Sequence, residues 1–124
     1  MRIKLVIGEQ DKRYLSMLTM FMEQNHMDQV EVQAFSKPEL FLKNVSETTP
    51  DVVLVDESFE VNIDEIKGSS VVAYLCDAVS NGDERKNGIR CIEKFKKPDL
   101  IFKDLLNLYA ERGGTLEISG NNDG

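Results

Sequence analysis

Apolar and polar positions along the chain follow two alternating periods. Ile3 to Ile7 is a short apolar run closed by Gly8, the pattern of a buried strand. Asp11 then opens a helical pattern, with Tyr14, Leu15, Leu18, Phe21 and Met22 on one face of a 3.6-residue period. The polar run Asn25 to Asp28 ends it. Val30, Val32 and Ala34 alternate with Glu31 and Gln33, a half-exposed strand that finishes at Phe35. Ser36 and Glu39 have the spacing of a capping box, and Pro38 falls in the first turn of a helix, where its missing N–H costs little. Phe41, Leu42 and Val45 carry that helix on.

Thr48-Thr49-Pro50 is a stop, and Asp51 to Asp56 reads as a third strand. Its apolar residues Val52 to Val55 are consecutive, which implies burial on both faces, as in a parallel sheet. Glu57 to Ser69 holds one weak helical stretch, Ile63 to Lys67. Val71 to Cys76 reads as a fourth strand, Asp77 to Gly88 as a polar turn-rich segment, and Ile89 to Phe95 as a fifth strand. Pro98 opens a last helix with Ile101, Leu105, Leu108 and Tyr109 on its face. Strands that alternate with helices predict an α/β domain: a parallel sheet covered on both faces by right-handed crossovers. The third and fourth connections are close to the minimum length for a crossover, so the third helix should be stunted and the fourth stunted or missing.

Composition narrows the function. The 124 residues carry a formal charge of −7, which argues against nucleic acid or an anionic membrane surface as partner. A hydrophobic share of 41% is that of an ordinary globular domain. Two cysteines, Cys76 and Cys91, and one histidine, His26, are too few for a Cys/His zinc site. The thiols sit in apolar strand-like runs and read as buried; His26 sits in a polar run and reads as a solvated loop residue. The apolar start is too short for a signal peptide, and the expected location is cytoplasmic with no membrane insertion. Residues 1–112 read as the domain and 113–124, which hold four of the eight glycines, as a flexible linker leading to a further domain.

In an open parallel sheet, chemistry gathers outside the carboxyl ends of the strands. Gly8-Glu9-Gln10-Asp11 follows the first strand, Asp56-Glu57-Ser58 the third, Cys76-Asp77 the fourth and Lys96-Lys97-Pro98 the fifth. Acids with a lysine could surround one hard divalent cation, with the ammonium left to neutralise a phosphoryl group. With these residues the chain resembles a receiver domain, the phosphoacceptor module of two-component signalling. The resemblance implies a flavodoxin-like (CheY-like) fold with a five-stranded parallel sheet ordered 2-1-3-4-5. It sets Asp56 at the phosphoacceptor position, Cys76 and Lys97 (Lys96 in a shifted register) at the phosphate-contact positions, and Glu9 with Asp56 where Mg²⁺ would bind.

Departures from the receiver pattern are as informative. Gly8 stands where the first acid of the pair belongs, Cys76 offers a thiol where a hydroxyl is usual, and Lys94, or Phe95 in another register, holds the aromatic switch position. Among receivers the opening Lys4 to Leu15 is most similar to the degenerate domain at the N-terminus of TadZ/CpaE-like pilus-assembly ATPases. That resemblance implies a non-catalytic pseudo-receiver that mediates protein interaction and localisation, requires no cofactor, and engages a pilus or secretion machinery partner or a second copy of itself. Met17 and Met20, off the apolar face of the first helix, are candidate contact residues. The rival within the same fold is a working receiver, phosphorylated on Asp56 by a histidine kinase with Mg²⁺. A small flavin-binding or enzymatic α/β domain is a third reading, disfavoured because no Gly-rich phosphate loop follows the first strand.

Overall fold

The short apolar runs of the sequence become the strands. The computed structural model describes residues 2–59, 66, 71–77, 85–86 and 89–111. In chain order the elements are β1 (Ile3–Gly8), α1 (Lys12–His26), β2 (Val30–Phe35), α2 (Pro38–Thr48), β3 (Val52–Asp56), β4 (Val71–Cys76), β5 (Arg85–Lys86), β6 (Ile89–Glu93) and α3 (Pro98–Glu111). They form one sheet ordered β2-β1-β3-β4-β6-β5. The first five strands in that order run parallel, in register from Ile3↔Val30 at one side to Cys76↔Glu93 at the other. Numbered among themselves, the parallel strands take the expected order 2-1-3-4-5.

Alternation along each strand divides the core between the two faces of the sheet. Leu5, Ile7, Leu54, Ala73, Leu75 and Ile92 meet Tyr14, Leu15, Leu18 and Met22 of α1 and Ile101, Phe102, Leu105 and Leu108 of α3. On the other face Val6, Val53, Val55, Val72, Tyr74, Cys76 and Cys91 meet Phe41 and Val45 of α2, together with Phe59 and Ile66. Each fully buried side chain of this size contributes about 1.5–3 kcal/mol, so both faces hold the sheet in place. The consecutive apolar residues of β3 are buried throughout, as a strand covered on both sides requires.

Several local expectations change. The polar segment before β6 contains β5, which pairs antiparallel with β6 through Arg85↔Arg90 and Lys86↔Ile89. The fifth parallel strand stops at Glu93 rather than Phe95, because residues 94–96 turn away. No capping box forms at α2. Pro38 fixes the first helical residue, so the cap is Lys37, extended at φ −118° and ψ 130°, and Ser36 lies one position too early. Asp11 does cap α1, its Oδ1 accepting from the N–H groups of Arg13 at 3.0 Å and Tyr14 at 3.1 Å.

His26 is not a solvated loop residue. It ends α1 and stacks on Phe102 with ring centroids 3.7 Å apart, its edge against Phe21. Cys76 and Cys91 are buried free thiols, as expected. Most of the weak helical stretch Ile63–Lys67, the fourth connection and the proposed linker 113–124 lie outside the described residues. No described helix is long and apolar enough to cross a membrane.

Candidate functional site

The same alternation that sorts the core also builds the site. Glu9 follows Ile7 by two residues, Asp56 follows Leu54, and Lys94 follows Ile92, so all three project on the α1 and α3 side at the carboxyl edge of the sheet. The backbone continues the sheet pattern just past the strands. Glu9 N–H donates to Phe35 O at 3.1 Å, Glu57 N–H to Leu75 O at 3.0 Å and Lys94 N–H to Cys76 O at 2.9 Å. These bonds fix where the side chains leave the backbone.

Lys94 is the centre of the group. Its Nζ lies 2.9 Å from Glu9 Oε1, 3.9 Å from Asp56 Oδ1 and 4.0 Å from Asp77 Oδ1. It also stands 5.2 Å from the centre of the Tyr14 ring and 5.7 Å from that of Phe95. The Glu9 and Lys94 side chains are only 1% and 7% exposed. The second Glu9 oxygen, Oε2, accepts the Asp11 N–H at 2.9 Å. Asp56 Oδ2 accepts from Ser58 Oγ at 2.7 Å, and Oδ1 takes a longer bond from Ser58 N–H at 3.4 Å. Glu57 reaches across to the end of β4, where its Oε2 accepts the Asp77 N–H at 3.1 Å.

Burial sets the electrostatics of this group. Desolvation raises the Glu9 pKa above the usual carboxylate value, outweighing the Asp11 N–H and the Lys94 ammonium that favour its charge. Burial alone would lower the Lys94 pKa. The bond and charge of Glu9, with Asp56 and Asp77, more than offset it, and the ammonium is held more firmly than usual. The Tyr14 phenol is pushed up by burial and by the charges of Glu9 and Asp56.

The residues expected from the receiver pattern do not all meet here. Asp56 and Glu9 do. Cys76 points to the opposite face, into the cluster with Tyr74 and Cys91, where burial first, and then its neighbours Cys91 and Glu57, raise its pKa and keep the thiol neutral; its contact with the site is through Glu57, not Asp56 or Lys94. Lys97 is exposed and contributes its carbonyl to the start of α3, accepting the N–H groups of Leu100 and Ile101. Lys96 pairs with Asp104 instead. The lysine in the site is Lys94, because the chain turns away directly after it; the alternation from Ile92 was the signal that could have found it. Asp77 and Glu57 were also missed as site residues. Gly8 is where an acid of the pair would stand, and a Cβ built on it would come within 2.7 Å of Phe59 Cε2 and 2.8 Å of Phe41 Cδ1. Two aromatic rings hold the space that a carboxylate would need.

These groups line an open cleft of about 480 Å³, bounded by Glu9, Gln10, Asp11, Asp56, Glu57, Ser58, Asp77 and Lys94. Five carboxylates and one ammonium among the described residues make it strongly acidic. Glu9 does not fit the role of a cation ligand here. Lys94 already neutralises Glu9, and both Glu9 oxygens are engaged, so the acid expected to hold Mg²⁺ beside Asp56 offers no free oxygen.

The family model for the TadZ-like receiver domain matches residues 1–110. No curated protein matches the chain. Among solved structures, the N-terminal domain of an uncharacterised protein from Wolinella succinogenes is 17% identical, with a TM-score of 0.68 over 89% of this chain and 96% of that one. The receiver domain of the Francisella response regulator 1452 is also 17% identical, with a TM-score of 0.70 over 89% and 98%. The signal receiver domain of a Luxo repressor protein from Vibrio parahaemolyticus reaches 0.72 at 8% identity, over 91% and 94%. At these identities the structures establish the shared fold.

Proposed function

The chain belongs to the TadZ-like receiver domain family, and on that premise we propose that it is a pseudo-receiver: a non-catalytic interaction and localisation domain of a TadZ/CpaE-like pilus-assembly or secretion ATPase. The observation that carries this reading is the buried ion pair of Lys94 with Glu9, 2.9 Å apart. A phosphoryl switch needs a free carboxylate pair for the metal and a lysine free to meet the incoming phosphoryl oxygen. Here one acid is Gly8, the other is bound to the lysine, and Cys76 faces away. Recognition would then use the surface. Met17 and Met20 stand 43% and 54% exposed on α1, and Phe95 is 66% exposed beside the cleft. A protein partner or a second copy of the chain is the expected ligand of that surface.

The test is amide NMR of the whole chain with Mg²⁺ and beryllofluoride, a phosphoryl mimic. The expected result is no saturable shift at Glu57, Ser58 or Asp77. Saturable shifts there, abolished by Asp56→Ala, would overturn the reading in favour of a working receiver phosphorylated on Asp56.

A further inference from the structure

A phosphoryl group or any other anion entering this cleft would have to be met by hydrogen-bond donors. Several donors at the strand ends already serve carboxylates of the protein. The Asp11 N–H gives its bond to Glu9, the Ser58 N–H and Oγ give theirs to Asp56, and Lys94 pairs with Glu9. A further contact joins the exits of two neighbouring strands. The Glu57 carboxylate, at the exit of β3, crosses to the Asp77 N–H at the exit of β4, twenty residues along the chain, at 3.1 Å. The Glu57 backbone makes the parallel contact, its N–H donating to Leu75 O at 3.0 Å. Glu57 therefore joins the two strand exits through both its backbone and its side chain.

We propose that Glu57 is a resident anion: its carboxylate occupies the Asp77 N–H just past the end of β4, and so holds the β3 and β4 exits together without any transferred group. This deepens the pseudo-receiver reading and rests on it. In that reading no phosphoryl arrives, and the position that one would fix is fixed by a side chain of the protein itself. A charge-assisted bond from a carboxylate to a backbone N–H is roughly twice as strong as a neutral one. Asp77 is then held at the exit of β4 by the protein's own carboxylate.

Amide hydrogen exchange in the full chain, read by NMR, tests this. Glu57→Ala should speed exchange of the Asp77 amide at least tenfold while the core amides of β3 and β4 keep their rates. Glu57→Gln, which keeps an acceptor oxygen, should fall between wild type and Glu57→Ala. Sodium formate added to Glu57→Ala should slow Asp77 exchange again in a saturable way, and sodium chloride at equal ionic strength should not. An unchanged Asp77 rate in Glu57→Ala would overturn the proposal. So would faster exchange that formate does not restore, since Glu57 would then be only a brace. Either failure leaves the beryllofluoride result untouched, so it would not by itself count against the pseudo-receiver reading.

Discussion

The Lys94 ammonium and the Glu9 carboxylate meet at 2.9 Å with almost no access to water on either side. Removing one partner of such a pair strands the other charge in a poor solvent. Lys94→Met should therefore destabilise the fold by about 3–5 kcal/mol, measured by urea unfolding. Adding Glu9→Gln to that variant should recover more than half of the loss, because the stranded charge is removed. Equal losses in the single and double variants would show that the cost lies in packing around the lysine stem.

Alkaline pH should weaken the fold in steps. Cys76, Tyr14 and Lys94 all hold their protons more tightly in the folded chain than at their ordinary values of 9.0, 10.0 and 10.5. For each, the unfolded chain releases its proton first, so stability is complete below the ordinary value and falls as pH rises past it. The urea midpoint should begin to drop near pH 9, where Cys76 titrates in the unfolded state. Cys76→Ala should move that onset to near pH 10. An onset that ignores the substitution would count against a buried neutral thiol.

Gly8 is a matter of space rather than backbone freedom. A methyl group there meets the rings of Phe59 and Phe41 at 2.7 and 2.8 Å. Gly8→Ala should cost about 1–3 kcal/mol through overpacking, and Gly8→Asp, which would restore an acidic pair, should cost more. The alanine penalty should shrink in a Phe59→Ala background, where the nearer ring is gone. A penalty of the same size in both backgrounds would rule out the steric account.

Thr49 ends α2 with φ 42° and ψ 69°, its N–H donating to Val45 O at 3.0 Å. A left-handed residue suits that bond, but a β-branched side chain pays for the conformation. Thr49→Gly should raise stability by roughly 0.5–1 kcal/mol, the relief of the strain exceeding the extra freedom of glycine when unfolded. A lower melting temperature in this variant would refute the argument.

The strands were legible because burial on both faces writes continuous apolar runs, as from Val52 to Val55. The acids at their ends were legible because a polar residue after such a run marks the sheet edge, and Glu9 and Asp56 were found that way. Lys97, with Lys96 as the shifted register, reads as the site lysine because Lys-Pro is a conspicuous pair, while the alternation that carries Lys94 inward from Ile92 is a weaker mark. The Ser36–Glu39 spacing misled for a similar reason: its letters were right, but Pro38 had already set the helix start one residue later. The Glu57 contact with Asp77 was not legible at all. It joins residues twenty apart, and only the parallel pairing of β3 with β4 brings them together.

The two-residue β5 has a consequence beyond topology. An outermost strand whose N–H and C=O groups are unpaired is a template on which another chain can add a strand. Arg85 and Lys86 lie antiparallel along the beginning of β6 and occupy that template at Ile89 and Arg90. The incoming strand of a neighbouring molecule would first have to displace a segment the chain has folded back on itself. β5 thus guards the start of that edge against strand addition, and leaves β2, at the other end of the sheet, as the longer edge.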